Sequence, residues 1–153
     1  MLDLDLLRFL EGLPQRTDKG KRQVWDPFRG SWVAATPEEL VRQLFLQYLL
    51  QEKQYNKNRI SVEKELRVGE RTKRCDILVR DLAMNPFLIV ECKSAIVPLD
   101  HNVFFQIAMY NLALQAPFLV LTNGRATWSC RLDYEKGAVE ELPDVPGFPG
   151  HLP

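Results

Sequence analysis

Two charged patterns are embedded in apolar runs where solubility gives no reason for them. Asp76 sits inside Cys75-Asp-Ile-Leu-Val-Arg80, and Glu91 and Lys93 close Phe87-Leu-Ile-Val-Glu-Cys-Lys93. With the joining loop centred on Asp81 to Pro86, symmetric hairpin pairing sets Asp76 directly opposite Glu91. Cβ atoms of such partners lie about 4.5–5.5 Å apart, where like charges repel. A proton or a cation must then compensate. Lys93, two residues past Glu91, falls on the same face by the strand's alternation.

Oxygen ligands from Asp76 and Glu91, the backbone carbonyl of Cys92 and water suit a hard ion, Mg²⁺ or Mn²⁺. Such an ion acidifies bound water and neutralises a phosphate. Lys93 would orient the water or hold charge developing in the transition state. A plain salt-bridge ladder, with Lys93 against Asp76, accounts for the same charges without any ligand.

The elements that must carry these residues can be read outward from them. Both runs are dense in apolar residues, as in strands covered on two faces. Before them, Ile60-Ser-Val-Glu-Lys-Glu-Leu66 alternates with period two and predicts a strand ending near Gly69. A helix is predicted from Pro37 to about Gln51. Pro37 takes its first position, Thr36 and Glu39 have capping-box spacing, and Leu40, Val41, Leu44, Phe45, Tyr48 and Leu49 form its apolar stripe. A second helix is expected from His101 to about Gln115 with Asp100 as cap. Phe118 to Thr122 reads as a buried strand, and Asn123-Gly124 as a tight turn into Ala126 to Arg131. The order α-β-β-β-α-β-β makes an α/β domain, a mixed central sheet flanked by helices. Residues 1–35 read as a polar lead-in able to supply an edge strand or flap, 36–135 as the core domain, and 136–153 as an irregular tail.

Length and composition set the bounds. The chain has 153 residues, 46% of them apolar, enough for one domain with its own core. Twenty basic residues balance twenty acidic ones, which removes a strongly positive overall field as an argument for nucleic acid but leaves room for a local patch. Three scattered cysteines, Cys75, Cys92 and Cys130, do not make a disulfide framework or zinc finger and read as reduced thiols. Neither a signal peptide nor a membrane span is legible, so a soluble, cytoplasmic protein is expected.

The ordered set of motifs resembles a known group. Arg74-x-Asp76-Ile-Leu-Val followed by Leu88-Ile-Val-Glu91-Cys92-Lys93 is similar to the PD-(D/E)xK nuclease superfamily. More narrowly, the chain resembles the N-terminal nuclease domain of type I restriction enzyme R subunits, in a small stand-alone version. The likeness includes Thr36-Pro-Glu-Glu-Leu-Val-Arg-Gln43, Gln106-Ile-Ala-Met-Tyr110-Asn111 and Leu121-Thr-Asn-Gly124. Upstream, Asp26-Pro27-x-Arg29 belongs to the same pattern.

The resemblance implies a restriction-endonuclease-like αβββαβ core, a metal at Asp76 and Glu91, and Lys93 as catalytic lysine. It also implies that Glu39 reaches the site directly or through water, and that Gln106 and Tyr110 serve it from one face of the second helix. The implied activity is divalent-metal-dependent hydrolysis of DNA phosphodiester bonds. The partners implied are DNA and either a second copy or other restriction or repair subunits. Cys75 stands where the superfamily name has proline. The motor segment of an R subunit is not in this sequence, so translocation is not expected of it.

Each accessory residue also has a simpler account. Glu39 completes a capping box, and Gln106 and Tyr110 are polar residues on a half-exposed helix face. Cys75 and Cys92 face each other across the hairpin, as a disulfide, a soft-metal site or two buried thiols. His101 is a proton shuttle or a surface histidine, and His151 carries no signal. Trp25, Trp32 and Trp128 stack on bases or fill the core. Arg42, Lys73, Arg74 and Arg125 contact phosphate or are solvated charges. Two further functions follow the same residues: a nucleic-acid-binding module with weak or lost catalysis, and a structural domain whose charges merely pair.

Overall fold

The three densest apolar runs become the centre of a six-stranded sheet. They are β5 (Arg71–Arg80), β6 (Pro86–Cys92) and β7 (Phe118–Thr122). Around them lie β4 (Ile60–Val68), β8 (Thr127–Asp133) and β9 (Ala138–Glu141), in the order β4-β5-β6-β7-β8-β9. Only β6 and β7 run parallel, joined across one face by α2 (His101–Asn111); the other pairs are antiparallel. This computed structural model describes residues 1–2 and 4–150, apart from the side chains of Val68 and Arg71; His151 lies outside the described residues.

Helices cover both faces, which is why the central strands are apolar throughout rather than alternating. On one side α1 (Pro37–Gln51) presses Phe45 and Leu49 against Ile77, Val79, Leu88, Val90 and Val120. On the other, Phe104 and Ile107 of α2 meet Leu78, Ile89, Leu119 and Leu121. This is the mixed α/β architecture expected from the order of elements, and it has the restriction-endonuclease-like core that the resemblance implies. Among the described residues no helix is long and apolar enough to cross a membrane.

The helix starts follow their caps. Thr36 accepts the Glu39 N–H at 3.2 Å and Asp100 accepts the Val103 N–H at 2.9 Å. The second helix stops at Asn111, short of Gln115. There the Asn111 side chain accepts the Ala116 N–H at 3.2 Å and donates to the Ala116 carbonyl at 3.0 Å, which closes the turn into β7.

The two ends of the chain are more ordered than the sequence suggested. Residues 15–34 make their own antiparallel sheet of β1 (Gln15–Asp18), β2 (Lys21–Asp26) and β3 (Ser31–Ala34), separate from the main one. Lys19 and Gly20, both at positive φ, form the two-residue turn between β1 and β2. Trp25 and Trp32 pair across β2 and β3 with ring centroids 5.6 Å apart. Leu4, Leu6, Leu13 and Val24 enter the α1-side core, so the lead-in is not simply polar. The tail, expected to be irregular, supplies β9 as the sheet's edge and buries Val145 and Phe148 in the same core. Tyr55 donates to the Pro146 carbonyl at 2.6 Å, tying that segment to the end of α1.

Candidate active site

The β5–β6 ladder fixes the geometry of the site. Ile77 pairs with Val90, Leu78 with Ile89 and Val79 with Leu88, the expected register; a bulge at Val79/Arg80 shifts only the turn end. The ladder stops one step short of Asp76 and Glu91. In place of a backbone pair, Asp76 Oδ2 accepts the Cys92 N–H at 2.7 Å. Glu91 is held from its other side by the parallel partner Leu121. Lys93 continues past the strand, with its N–H on the Thr122 carbonyl at 2.8 Å, and its Nζ lies 2.9 Å from Glu91 Oε1. The lysine therefore pairs with Glu91, not with Asp76 as a simple ladder would have it.

At Asp76 the strand's alternation is broken. Cys75 lies in the α2-side core, yet Ile77, two residues on, lies in the α1-side core. Cys92 packs on the α1 side, so Cys75 and Cys92 do not face each other; both are buried free thiols.

Toward α1, the Asp76 carboxylate meets a set of buried ions. Arg42 Nη2 donates to Asp76 Oδ1 at 2.6 Å and lies 3.1 Å from Glu63 Oε1, while its Nη1 bonds Glu39 Oε2. Glu39 also accepts from Arg29 Nη2 and, at 3.0 Å, from Gln43 Nε2. Its capping box is thus only half made: the backbone N–H goes to Thr36, but the carboxylate turns inward, and Thr36's own N–H bonds the Ala34 carbonyl. Arg29 is held by Asp26, which is fully buried and also accepts the N–H groups of Phe28, at 2.7 Å, and Arg29, at 3.1 Å. Burial alone would lower the pKa of Arg42; the charges of Asp76 and Glu39 outweigh it and raise it.

Toward α2, Glu91 opens on a small cleft lined by Lys73, Cys75, Ile89, Ile107, Tyr110 and Asn111. Burial and the nearby Asp76 charge hold the Glu91 carboxyl above its ordinary range, against the pull of Lys93. Burial lowers the Lys73 amine, which stacks 2.9 Å from the Tyr110 ring centroid. Burial also works against the Lys93 ammonium, but its bond to Glu91 outweighs that and raises it.

The remaining candidates are dispersed. Gln106 is exposed on α2, and Tyr110, 41% exposed, lines the Glu91 cleft. Arg42 is 4% exposed and surrounded by carboxylates, so it is not a solvated charge free to meet phosphate. Arg74 is exposed and bridges Glu63 at 3.1 Å and Glu65 at 3.7 Å. Arg125 is exposed in the turn after β7. His101 is exposed at the start of α2 and packs on Trp128, which also meets Phe104.

Sequence reasoning missed three contributors. Asp26 and Arg29 were visible as a motif without a role. Glu63 gave no signal, since it sat as an outward polar residue in an alternating strand.

The donor chemistry at Asp76 and Glu91 fits a hard divalent cation. Mg²⁺ takes one or two carboxylates and keeps waters. Asp76 uses two of its roughly four lone-pair directions on Arg42 and Cys92, which leaves others open. Among the described residues there is no ready-made cage of three or more His, Cys, Asp or Glu side chains.

Comparisons with known proteins agree with this architecture. A fragment assigned as an HsdR subunit of a type I restriction enzyme from Vibrio vulnificus YJ016 is similar in fold, with a TM-score of 0.50 and 22% identity. The likeness covers 72% of this chain and 23% of that one, so this chain spans about a quarter of its length. No curated protein matches. Residues 37–146 match the family model described as type I restriction enzyme R protein N terminus (HSDR_N). That match takes in both helices and the whole six-stranded sheet, and the chain belongs to the family of type I restriction enzyme R protein N termini.

Proposed function

We propose that the domain is a divalent-metal-dependent nuclease of the PD-(D/E)xK type that hydrolyses DNA phosphodiester bonds. The carrying observation is the end of the β5–β6 ladder. There Asp76 and Glu91 stand in a largely buried setting, Asp76 turned toward α1 and Glu91 toward α2, with the Glu91 carboxyl raised by burial and by the charge of Asp76 and bonded to Lys93. Groups so perturbed are candidates for function. Membership in a restriction enzyme family supports the same reading.

Asp76 and Glu91 would hold Mg²⁺ or Mn²⁺, with the Cys92 carbonyl as a further oxygen and Glu39 acting through water. A bound ion would supply Lewis acidity toward phosphate and a more acidic water. The chain's own part is positioning and charge. Cys92 N–H and Arg42 fix the Asp76 carboxylate from two directions. Glu91 holds the Lys93 ammonium, which can orient an attacking water by hydrogen bonding or stabilise the pentavalent phosphate's charge. Tyr110 and Lys73, at the Glu91 cleft, would meet the nucleic acid beside it, as would Gln106 one turn earlier on α2 and Arg74 and Arg125 on the surface. Cleavage of both DNA strands would call for a second copy or for other restriction subunits.

One observation favours a second reading. Arg42 and Arg29 already neutralise much of Asp76 and Glu39, as in a domain that binds nucleic acid without cutting it. The two readings separate in a cleavage assay with Mg²⁺ or Mn²⁺ on single- and double-stranded DNA and RNA. The nuclease cuts with metal, loses cleavage in Lys93→Ala and keeps its metal binding. A pure binding module retains salt-sensitive DNA affinity and cuts nothing as wild type.

A further inference from the structure

Glu63 lies in the middle of β4, across from Asp76, yet the ladder skips both residues. Val62 pairs with Ile77 and Lys64 with Cys75 in the same register on either side. The φ of Glu63 is +51°, a left-handed conformation that side-chain-bearing residues adopt at a cost. No turn demands it, since β4 continues in both directions.

What the conformation accomplishes is delivery of a carboxylate. Glu63 Oε1 lies 3.1 Å from Arg42 Nη2, and its Oε2 lies 3.6 Å from Arg29 Nη1. The Arg42 guanidinium is thereby divided among Glu39, Glu63 and Asp76, and that of Arg29 among Asp26, Glu39 and Glu63. Arg74 meets Glu63 from the solvent side, where water screens it.

We infer that Glu63 is a positioning residue for the Asp76–Glu91 centre, acting through Arg42 and Arg29. By drawing part of both guanidiniums toward itself, it leaves Asp76 and Glu39 with negative charge to offer a cation. Without it, each arginine would sit wholly on the acids that are meant to face the metal. Strain on β4 is then part of how the site keeps its charge. This inference rests on the metal-dependent nuclease reading.

The test compares Glu63→Gly, Glu63→Ala and Glu63→Gln with wild type, using calorimetric Mn²⁺ titration and metal-free thermal unfolding. All three remove the carboxylate, but only glycine adopts φ near +51° without penalty. The expected result is a higher metal-free Tm for Glu63→Gly than for Glu63→Ala, with Mn²⁺ affinity reduced roughly tenfold in all three, as for other residues that orient metal ligands. If Glu63 only supports the fold, affinity tracks stability and Glu63→Gly binds like wild type; that overturns the inference. A Glu63→Gly no more stable than Glu63→Ala overturns it too, by showing that no strain is held there. Wild-type affinity in all variants removes the role of Glu63 and leaves the nuclease reading standing. A wild type that neither binds Mn²⁺ nor cuts DNA removes both.

Discussion

Replacing Arg42 by methionine keeps the aliphatic stem of the side chain and deletes its charge. The guanidinium is 5% exposed, and its partners Glu39 and Asp76 are 9% and 10% exposed. Solvent therefore does little to screen the carboxylates once the arginine is gone. Breaking a buried pair by removing one partner costs about 3–5 kcal/mol, because the other charge stays buried and unpaired. Here three carboxylates, Glu39, Glu63 and Asp76, lose a shared partner, but Arg29 and Gln43 still bond Glu39, Arg29 and Arg74 still pair with Glu63, and the Cys92 N–H still bonds Asp76. These remaining bonds argue for the lower half of that range, about 3 kcal/mol. Against a total stability of roughly 5–15 kcal/mol, such a loss is readily measured. The assay is urea unfolding at neutral pH, where about 3 kcal/mol moves the midpoint by at least about 1 M for a urea slope of about 1–3 kcal/mol per M. Added Mn²⁺ should return much of the loss, since a cation replaces the missing charge; at about a hundredfold over its Kd it contributes ~2.7 kcal/mol. An Arg42→Met midpoint within about 0.3 M of wild type in the absence of metal would refute the electrostatic account. Failure of Mn²⁺ to stabilise this variant would show that the guanidinium does not sit over a cation site.

Other perturbations address separate parts of the molecule. Lys93→Ala should lower metal-dependent DNA cleavage by at least about a hundredfold, as expected when a transition-state donor is removed, while the Mn²⁺-induced rise in Tm persists; a variant that still cuts would remove Lys93 from the chemistry. Phe148→Ala should cost about 3–5 kcal/mol in chemical denaturation, since Phe148 is buried against Tyr55 and Phe87 despite lying in a Pro- and Gly-rich tail; a cost under about 1 kcal/mol would show that the tail is not docked. Burial, reinforced by the charge of Glu141, pushes the Cys130 thiol up from 9.0 to about 11. Because the folded-state pKa is the raised one, its contribution is complete below pH 9.0 and is lost as pH rises through about 11, up to ~2–3 kcal/mol. Cys130→Ala should flatten the fall of Tm across that window, and coincident curves for variant and wild type would contradict the assignment.

The fold was legible wherever hydrophobic pattern alone decides structure. The apolar runs ending at Arg80, Lys93 and Thr122 had to be covered on both faces, and the capping residues Thr36 and Asp100 set the two helix starts. The lead-in and tail were less legible for different reasons. Ala138–Glu141 is four residues without alternation, and only the neighbouring strand β8 makes it a strand. The Lys19-Gly20 turn was there to be read, but a β1 of four exposed residues offers no apolar face to confirm it.

At the site, the limit was the assumption of unbroken alternation. The register follows the expected pairing from Ile77–Val90 to Val79–Leu88 but ends one step before Asp76 and Glu91, and it says nothing about which way a carboxylate turns there. Across from the unpaired Asp76 stands Glu63, a residue of the neighbouring strand that no motif marks. With Glu63 in the left-handed region, the β4–β5 ladder opens at Asp76, and the strand's faces change over between Cys75 and Ile77. The Asp76 carboxylate can then reach Arg42 on α1 while Glu91 reaches Lys93 and lines the α2 side. A regular strand would have pointed both acids into one space and left Arg42 buried without Asp76. The distortion thus ties the first helix and the N-terminal sheet, through Glu39 and Arg29, to the chemistry at the hairpin.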